Sequence, residues 1–302
     1  MSRSEKLFKR DMVTLAKRAG GAFKTVSNRM KISERVAVRL AGLNIQIRSA
    51  GQLKVRHIEQ YIVSRKNEGI SYRTLQNEMA GIRQVLNQAG RTKMADPNHE
   101  RLSNKALGID GASRAGTKTA ITDERYHEAL ARIRIKDEGV AAVMQLSRYL
   151  GLRNEEAVQS VKSLKTWKQA VLNNKECVRV IFGTKGGRTR DTRIVDREKV
   201  LSAINNALIQ AERNNGKLID RPSLKQAMDR YINVMRRDGG LKYESSNHAL
   251  RYAYAQDAEK YYISKGFTSE EACALTSVDL GHGDGRGDYI KRVYSQKGEV
   301  EE

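Results

Sequence analysis

Apolar residues recur every three or four positions along much of this chain, a spacing that predicts helices. Val55, Ile58 and Ile62 mark one helix, which Gly69 can end. Ser71 is placed to cap the next, where Leu75, Met79, Ile82, Leu86 and Ala89 supply an inner face. The run Val36, Val38, Leu40, Leu43, Ile45 and Ile47 is ambiguous, because Gly42 argues against one uninterrupted helix and the segment partly alternates. Residues 1–31 hold nine Lys/Arg and two acidic residues around a weak apolar side. They read equally as a basic helix that tracks phosphates and as a solvated face or loose arm. These patterns predict a small helical domain over 1–92. Over 93–120, Pro97, Gly108, Gly111 and Gly116 break the spacing while basic residues persist, which predicts a basic linker.

A second domain is expected over 121–302. Thr122 or Asp123 can cap its first helix, with Tyr126, Ala129, Leu130 and Ile133 inside. Glu138–Tyr149 reads as another helix, which Gly151 lets the chain leave sharply. Cys177–Phe182 has the β-branched content of a strand, Thr192–Val195 can pair with it, and Gly183, Gly186 and Gly187 permit the turn between them. Later helices are expected around 197–213, 223–237, 246–262 and 269–277. The expected fold class is mainly α with a small β-sheet.

Composition narrows the function. The chain has 302 residues, with 56 Lys+Arg against 35 Asp+Glu and a formal net charge of +21. That excess favours nucleic acid, or less often an anionic membrane surface. Structural nucleic-acid binding would give the same charge, so charge alone does not indicate an enzyme. Two cysteines, Cys177 and Cys273, fit a reducing cytoplasm and exclude a cysteine metal cluster. No apolar run is long enough for a membrane span, and the basic N-terminus lacks the apolar stretch of a secretory signal. A cytoplasmic protein is therefore expected.

The candidate chemistry lies in an ordered set: Arg153, Lys185, His248, Arg251, His282, Tyr289 and Tyr294. Gly151-Leu152-Arg153-Asn154-Glu155-Glu156 follows a helix. Thr184-Lys185-Gly186-Gly187-Arg188 forms the hairpin turn and lacks the glycine spacing of a nucleotide-binding loop. In His248-Ala249-Leu250-Arg251 the two polar residues are three apart, so both can share a helix face, and Ser245, Ser246 or Asn247 can cap that helix. The glycine-rich segment around His282 holds too few convergent ligands for a metal.

In order and spacing these motifs, with Leu280-Gly281-His282 and Val293-Tyr294, resemble the catalytic domain of the tyrosine recombinases, or phage integrase family, over roughly 120–302. The first domain resembles the family's helical DNA-binding domain more loosely. The resemblance implies that Arg153 and Arg251 stabilise charge on the nonbridging phosphate oxygens, because guanidinium groups stay charged and offer parallel donors. It implies that Lys185 is a general acid for the leaving 5′ oxygen, that His248 assists proton transfer, and that His282 donates to phosphate and positions the nucleophile. Tyr294 is the preferred nucleophile. It lies twelve residues after His282, a somewhat long interval, so Tyr289 remains the alternative. Glu156 matches an acidic position that orients a cation. Arg73, Arg83, Arg91, Lys93, Lys118, Arg188 and Arg190 are candidate DNA contacts.

The implied reaction forms a 3′-phosphotyrosyl link in duplex DNA and reverses it with a 5′ hydroxyl, without a cofactor or metal. The implied partners are duplex DNA carrying specific sites, a homo-tetramer on two paired sites, and accessory DNA-bending or directionality proteins. The implied role is that of an integrase from a mobile element. A noncatalytic architectural DNA-binding protein with the same fold, or a type IB topoisomerase-like enzyme, would carry much of the same pattern. Ser295–Glu302, with three acids in the last four residues, is either a dock for a basic neighbour or a solvated end.

Overall fold

A computed structural model describes residues 2–113, 115–116, 118–242 and 246–295. The chain divides into two compact units, Met1–Ser113 and Arg114–Glu302.

The first unit is helical. The basic opening stretch forms α1 (Arg3–Arg18) and the start of α2 (Phe23–Gly42), broken at Gly20 and Gly21, whose φ values of 64° and 108° suit glycine. α1 buries Phe8, Met12, Leu15 and Ala16. The ambiguous apolar run is the inner face of α2, where Val36, Ala37 and Leu40 are buried and Val38 is left outside. Its alternating appearance has no strand behind it, because the helix stops at Gly42 and Asn44 turns the chain at φ 58°. α3 (Val55–Asn67) and α4 (Tyr72–Gln88) follow, and Ser71 caps α4 by accepting a hydrogen bond from Thr74 N. The first part of the expected linker is folded instead. α5 (Thr92–Ala95) and the turns after it bury Met94, Leu102, Leu107 and Ile109 in the same core as Leu75 and Leu86. Arg83 and Gln76 of α4 fix that segment by donating to Leu102 O and Ile109 O, both at 2.8 Å. Its glycines and proline mark turns rather than loss of packing.

The second unit is built around α7 (Glu138–Leu150), which is buried on nearly every side, mostly by apolar residues but with Gln145, Ser147 and Arg148 buried as well. α6 (Asp123–Lys136), capped by Thr122, packs on it. α8 (Asn154–Gln159) and α9 (Leu164–Leu172) had no counterpart in the sequence reading. α9 places Trp167 in the core, with its indole N–H on Arg179 O at 2.8 Å. β1 (Cys177–Val180) and β2 (Arg190–Arg193) form a two-stranded antiparallel sheet with Cys177 opposite Arg193 and Val180 opposite Arg190. This pairing starts two residues before the expected Thr192. α10 (Arg197–Arg213), α11 (Leu224–Arg237), α12 (His248–Ser264), α13 (Ser269–Asp279) and α14 (Gly287–Val293) complete the unit. Of the proposed caps of α12, Ser245 lies outside the described residues, and Asn247 holds the cap position without making a side-chain cap bond. Residues 296–302, the acidic end, also lie outside them. Among the described residues no helix is long and apolar enough to cross a membrane, and no group of His, Cys, Asp and Glu could hold a metal ion.

Candidate active site

α7 ends at Gly151, which is left-handed (φ 58°, ψ 33°) and pressed so closely on Tyr254 that a Cβ there would stand 2.4 Å from the ring. That exit carries Arg153 to the start of α8. Glu156, one turn on and fully buried, accepts from Arg153 N at 2.8 Å and Arg153 Nη1 at 2.7 Å. Its other cation is Arg190 from β2, whose Nη2 lies 2.7 Å from Glu156 Oε2. Burial pushes the Glu156 carboxyl up, but the charges of Arg190, Arg153 and Arg251, with the Arg153 N–H, outweigh it and hold it below its ordinary value.

Arg251, on α12, is 1% exposed. Its two terminal nitrogens donate to Gly151 O and Leu280 O, and its Nε reaches the Tyr294 hydroxyl at 3.4 Å. Arg153 Nη2 donates to the same Leu280 carbonyl at 3.1 Å, and Arg190 Nη1 to Asp279 O at 2.7 Å. Three guanidiniums thus converge on the backbone where α7 ends and where α13 ends. Gly281 is needed there: its φ is 67°, and a Cβ would meet Arg190 Cδ at 2.5 Å. Burial, then the charges of Arg190 and Arg153, bring Arg251 down to about 10, which leaves it a cation at neutral pH.

Tyr294, 2% exposed, follows α14 and closes this pocket. Its hydroxyl lies 3.1 Å from His282 Nε2 and 3.5 Å from His248 Nε2. Burial and the charges of Arg251 and Arg153 push His282 down to about 3 and His248 to about 4, so both rings are neutral near pH 7. The outer edge of His248 is exposed, so water screens part of the effect of these charges on it. With Arg251 Nε donating to the phenolic oxygen, His282 Nε2 is the nearer neutral acceptor for the phenol's own proton.

The structure therefore brings Arg153, Glu156, His248, Arg251, His282 and Tyr294 together. Tyr289 packs its ring on His282 (centroids 4.9 Å apart) and on Tyr294 (6.1 Å), without a hydrogen bond to the cluster. Lys185 stands exposed on the turn between the strands, with no hydrogen bond or ion pair among the described residues. Two of the expected DNA contacts are buried and hydrogen-bonded within the protein. Arg190 is 7% exposed and holds the pocket from below, since its place in β2 points it inward beside Thr192. Arg83 is 9% exposed and spent on Leu102 O and Asn104 Oδ1. Arg91 is partly buried and donates to Gly51 O, whereas Arg73, Lys93 and Arg188 are exposed. Lys118 is half-buried, and its charge acts on His248. The sequence reading missed the structural part of Arg190, although inward alternation with Thr192 was a usable signal.

A family profile described as "Integrase" matches residues 108–257, and one described as "Phage integrase, N-terminal" matches residues 5–95. The tyrosine recombinase XerC of Brucella melitensis biotype 1 is 24% identical, over 69% of this chain and 66% of its own length. The chain thus spans just under two thirds of that curated relative. A lambda integrase fragment (residues 75–356) bound to DNA has a TM-score of 0.59 at 16% identity, covering 99% of each chain. The Tn1549 transposon integrase in complex with transposon right end DNA has a TM-score of 0.58 at 12% identity, covering 95% of this chain and 96% of its own. A lambda integrase tetramer bound to a Holliday junction has a TM-score of 0.58 at 18% identity, covering 97% and 78%. At these identities the structural likenesses establish the fold.

Proposed function

The chain belongs to the tyrosine recombinase, or phage integrase, family, and on that premise we propose that it is a site-specific DNA recombinase whose nucleophile is Tyr294. One observation carries this reading: a single buried phenolic oxygen lies within hydrogen-bond reach of Arg251 Nε, His282 Nε2 and His248 Nε2.

Tyr294 Oη attacks a backbone phosphorus of duplex DNA, and its proton passes to His282 or His248. The new bond is a 3′-phosphotyrosyl ester. The bond that breaks joins phosphorus to the 5′ oxygen, which leaves with a proton from Lys185. The exposed turn at Lys185 suits a group delivered only when DNA is bound. Arg251 and Arg153 exchange carbonyl partners for nonbridging phosphate oxygens, and each charged hydrogen bond is worth roughly 1.5–3 kcal/mol. Glu156 keeps Arg153 and Arg190 in place beside Arg251. Attack by the 5′ hydroxyl of a partner strand reverses the step, and since one phosphoester replaces another, no nucleotide is consumed. The substrate is duplex DNA bearing a specific site. Four copies on two paired sites, with accessory bending or directionality proteins, form the working assembly of an integrase from a mobile element.

A suicide duplex, nicked beside the cleavage point so that the freed strand is lost, tests this. The expected result is a covalent complex that disappears in Tyr294→Phe. Binding without an adduct would instead identify a noncatalytic architectural protein. Relaxation of supercoiled DNA without a paired site would identify a topoisomerase. An adduct retained in Tyr294→Phe and lost in Tyr289→Phe would move the nucleophile.

A further inference from the structure

The turn that carries Lys185 is gripped on both sides, and the grip on its far side ends on the buried carboxylate of Asp279. Before the turn, Gly183 lies so close to the start of α8 that a Cβ would stand 2.5 Å from Glu155 O. After the turn, β2 packs on α13. Arg190, the first residue of β2, donates through Nη1 to Asp279 O at 2.7 Å and through Nη2 to Glu156. Arg193, the last, meets the Asp279 side chain. Ile194 N donates across the sheet to Glu176 O at 2.8 Å, so by alternation the Arg193 N–H points away from β1. It points toward the Asp279 carboxylate, which it stabilises as a donor. Asp279 Oδ2 also accepts from the Tyr262 hydroxyl at 2.7 Å, and that hydroxyl accepts from Arg193 Nε at 3.1 Å. Asp279 thus holds β2 at both ends, one by its carbonyl and the other by its carboxylate.

A carboxylate is an expensive choice at this position. Asp279 is 5% exposed and is the last residue of α13, at the negative end of that helix. Burial pushes its carboxyl up to about 6, and the Tyr262 hydroxyl with the charges of Arg193 and Arg190 offsets only part of that. Tyr262 and Tyr254 of α12 and Cys177 of β1 all feel its charge. An apolar side chain would fill the space without that cost, so packing does not account for the acid. Its directional bonds do. They fix the hairpin against the end of α13, where the next carbonyl, Leu280 O, receives Arg153 and Arg251.

We propose that Asp279, held by Tyr262, is a positioning residue that docks the Lys185 hairpin on the phosphate pocket, so that the ammonium meets the leaving 5′ oxygen. Glu156 and the Asp279 carbonyl fix the Arg190 end of β2, and the Asp279 carboxylate fixes the Arg193 end. Without the carboxylate the strand keeps only one of its two anchors on the pocket, and the turn it leads from loses its fixed place. This rests on the reading of Lys185 as general acid and Tyr294 as nucleophile.

The experiment compares two suicide duplexes carrying the mapped cleavage site, one with the natural 5′ oxygen and one with sulfur in that bridging position. When Tyr294 attacks the second, the P–S bond breaks and sulfur leaves as a thiolate, whose pKa of about 8.5 removes the need for a proton. Single-turnover cleavage is measured with the full chain at saturating protein, beside DNA affinity and thermal unfolding. Lys185→Ala should lose about 10²–10⁴-fold on the oxygen duplex and recover most of that on the sulfur duplex. Asp279→Leu should lose about 10–10²-fold on oxygen and recover on sulfur, with affinity unchanged and Tm at neutral pH unchanged or raised. Tyr262→Phe keeps the ring and removes only the hydroxyl. It should show the same pattern in smaller measure, and it decides the matter if Asp279→Leu does not fold. Asp279→Asn keeps one acceptor oxygen and should fall between wild type and Asp279→Leu. Added to Lys185→Ala, Asp279→Leu should cost nothing further, because both act on one step. A loss in Asp279→Leu of equal size on both duplexes, or none on either, would overturn the positioning role while Lys185→Ala still recovers on sulfur. Failure of Lys185→Ala to recover would overturn the general-acid reading instead, and wild type forming no adduct on either duplex would overturn Tyr294 as the nucleophile.

Discussion

Each unit of the molecule buries one glutamate between arginines and beside a tyrosine, and the two arrangements do opposite things. In the first unit Glu78, 1% exposed, accepts from Arg65 Nη2 at 2.9 Å, from Arg35, and from the Tyr61 hydroxyl at 2.8 Å. Glu68 pairs with Arg65 and with Arg39, so two carboxylates meet three guanidiniums and one charge is left over. Burial and the Glu78 carboxylate push the Tyr61 phenol well above its ordinary value, which fixes it as a proton donor. In the second unit Glu156 holds Arg153 and Arg190, while Arg251 beside them meets only carbonyls and a phenol. Three guanidiniums against one carboxylate leave two charges uncompensated. Tyr294 faces a guanidinium and two neutral imidazoles rather than a carboxylate. A tyrosine beside an acid is a strut. Tyr294, among cations and beside a proton acceptor, is the group we propose as the nucleophile.

The sharpest way to break this contrast is to remove both hydroxyls in turn. Tyr294→Phe should lower adduct formation by at least about 10⁴-fold with little change in thermal stability. Tyr61→Phe should leave the cleavage rate of bound DNA unchanged and cost about 1–3 kcal/mol of stability, read from denaturant unfolding. Next come the glutamates. Glu78→Gln and Glu156→Gln should each cost about 3–5 kcal/mol, because each leaves buried cations without their partner. Only Glu156→Gln should also slow strand cleavage measured under conditions where the protein remains folded. Equal loss of cleavage in both would mean that the two networks are not functionally distinct.

Smaller again, Arg251→Lys should reduce cleavage by about 10²–10³-fold, since an ammonium does not present the two parallel donors with which a guanidinium can grip nonbridging phosphate oxygens. Single-turnover rates on the suicide duplex would show it.

The mildest effect is the pH dependence of the DNA-free protein. His248 and His282, at about 4 and about 3, lie below the 6.5 of an unfolded histidine. The unfolded chain therefore binds their protons first, so this stability is present above about pH 6.5 and is lost as pH falls toward 4 and 3. Asp279, which burial pushes up to about 6, works in the opposite sense: its contribution is present at low pH and is lost as pH rises through about 6. His282→Asn should flatten the fall in Tm between pH 6.5 and 4, and Asp279→Asn should steepen it. A Tm–pH curve unaffected by either would show that the pocket does not shift these groups.

Much of this was readable in advance where the signal was local. Helix α10 follows from the spacing of Val200, Ala203, Ile204 and Ala207, and Ser71 and Thr122 cap the helices they were expected to cap. The short α8 and the turn after it were not readable, because six residues hold too few apolar positions to show a period. The segment around Leu102, Leu107 and Ile109 looked like a linker because its glycines and proline are local facts and its burial is not. Arg83 and Arg190 looked like DNA contacts for the same reason.

The amino-acid order by itself determined most of the longer helices, the hairpin and the ordered set of arginines, histidines and tyrosines, since propensity, capping and periodicity act over a few residues. Only the tertiary structure decided which cations are spent on carbonyls and carboxylates, which remain free for an anion, and that Tyr294 rather than Tyr289 shares hydrogen bonds with Arg251, His248 and His282. Those choices depend on groups far apart in the chain meeting in one dry pocket, where distance and lost solvation, rather than sequence neighbours, set the energy.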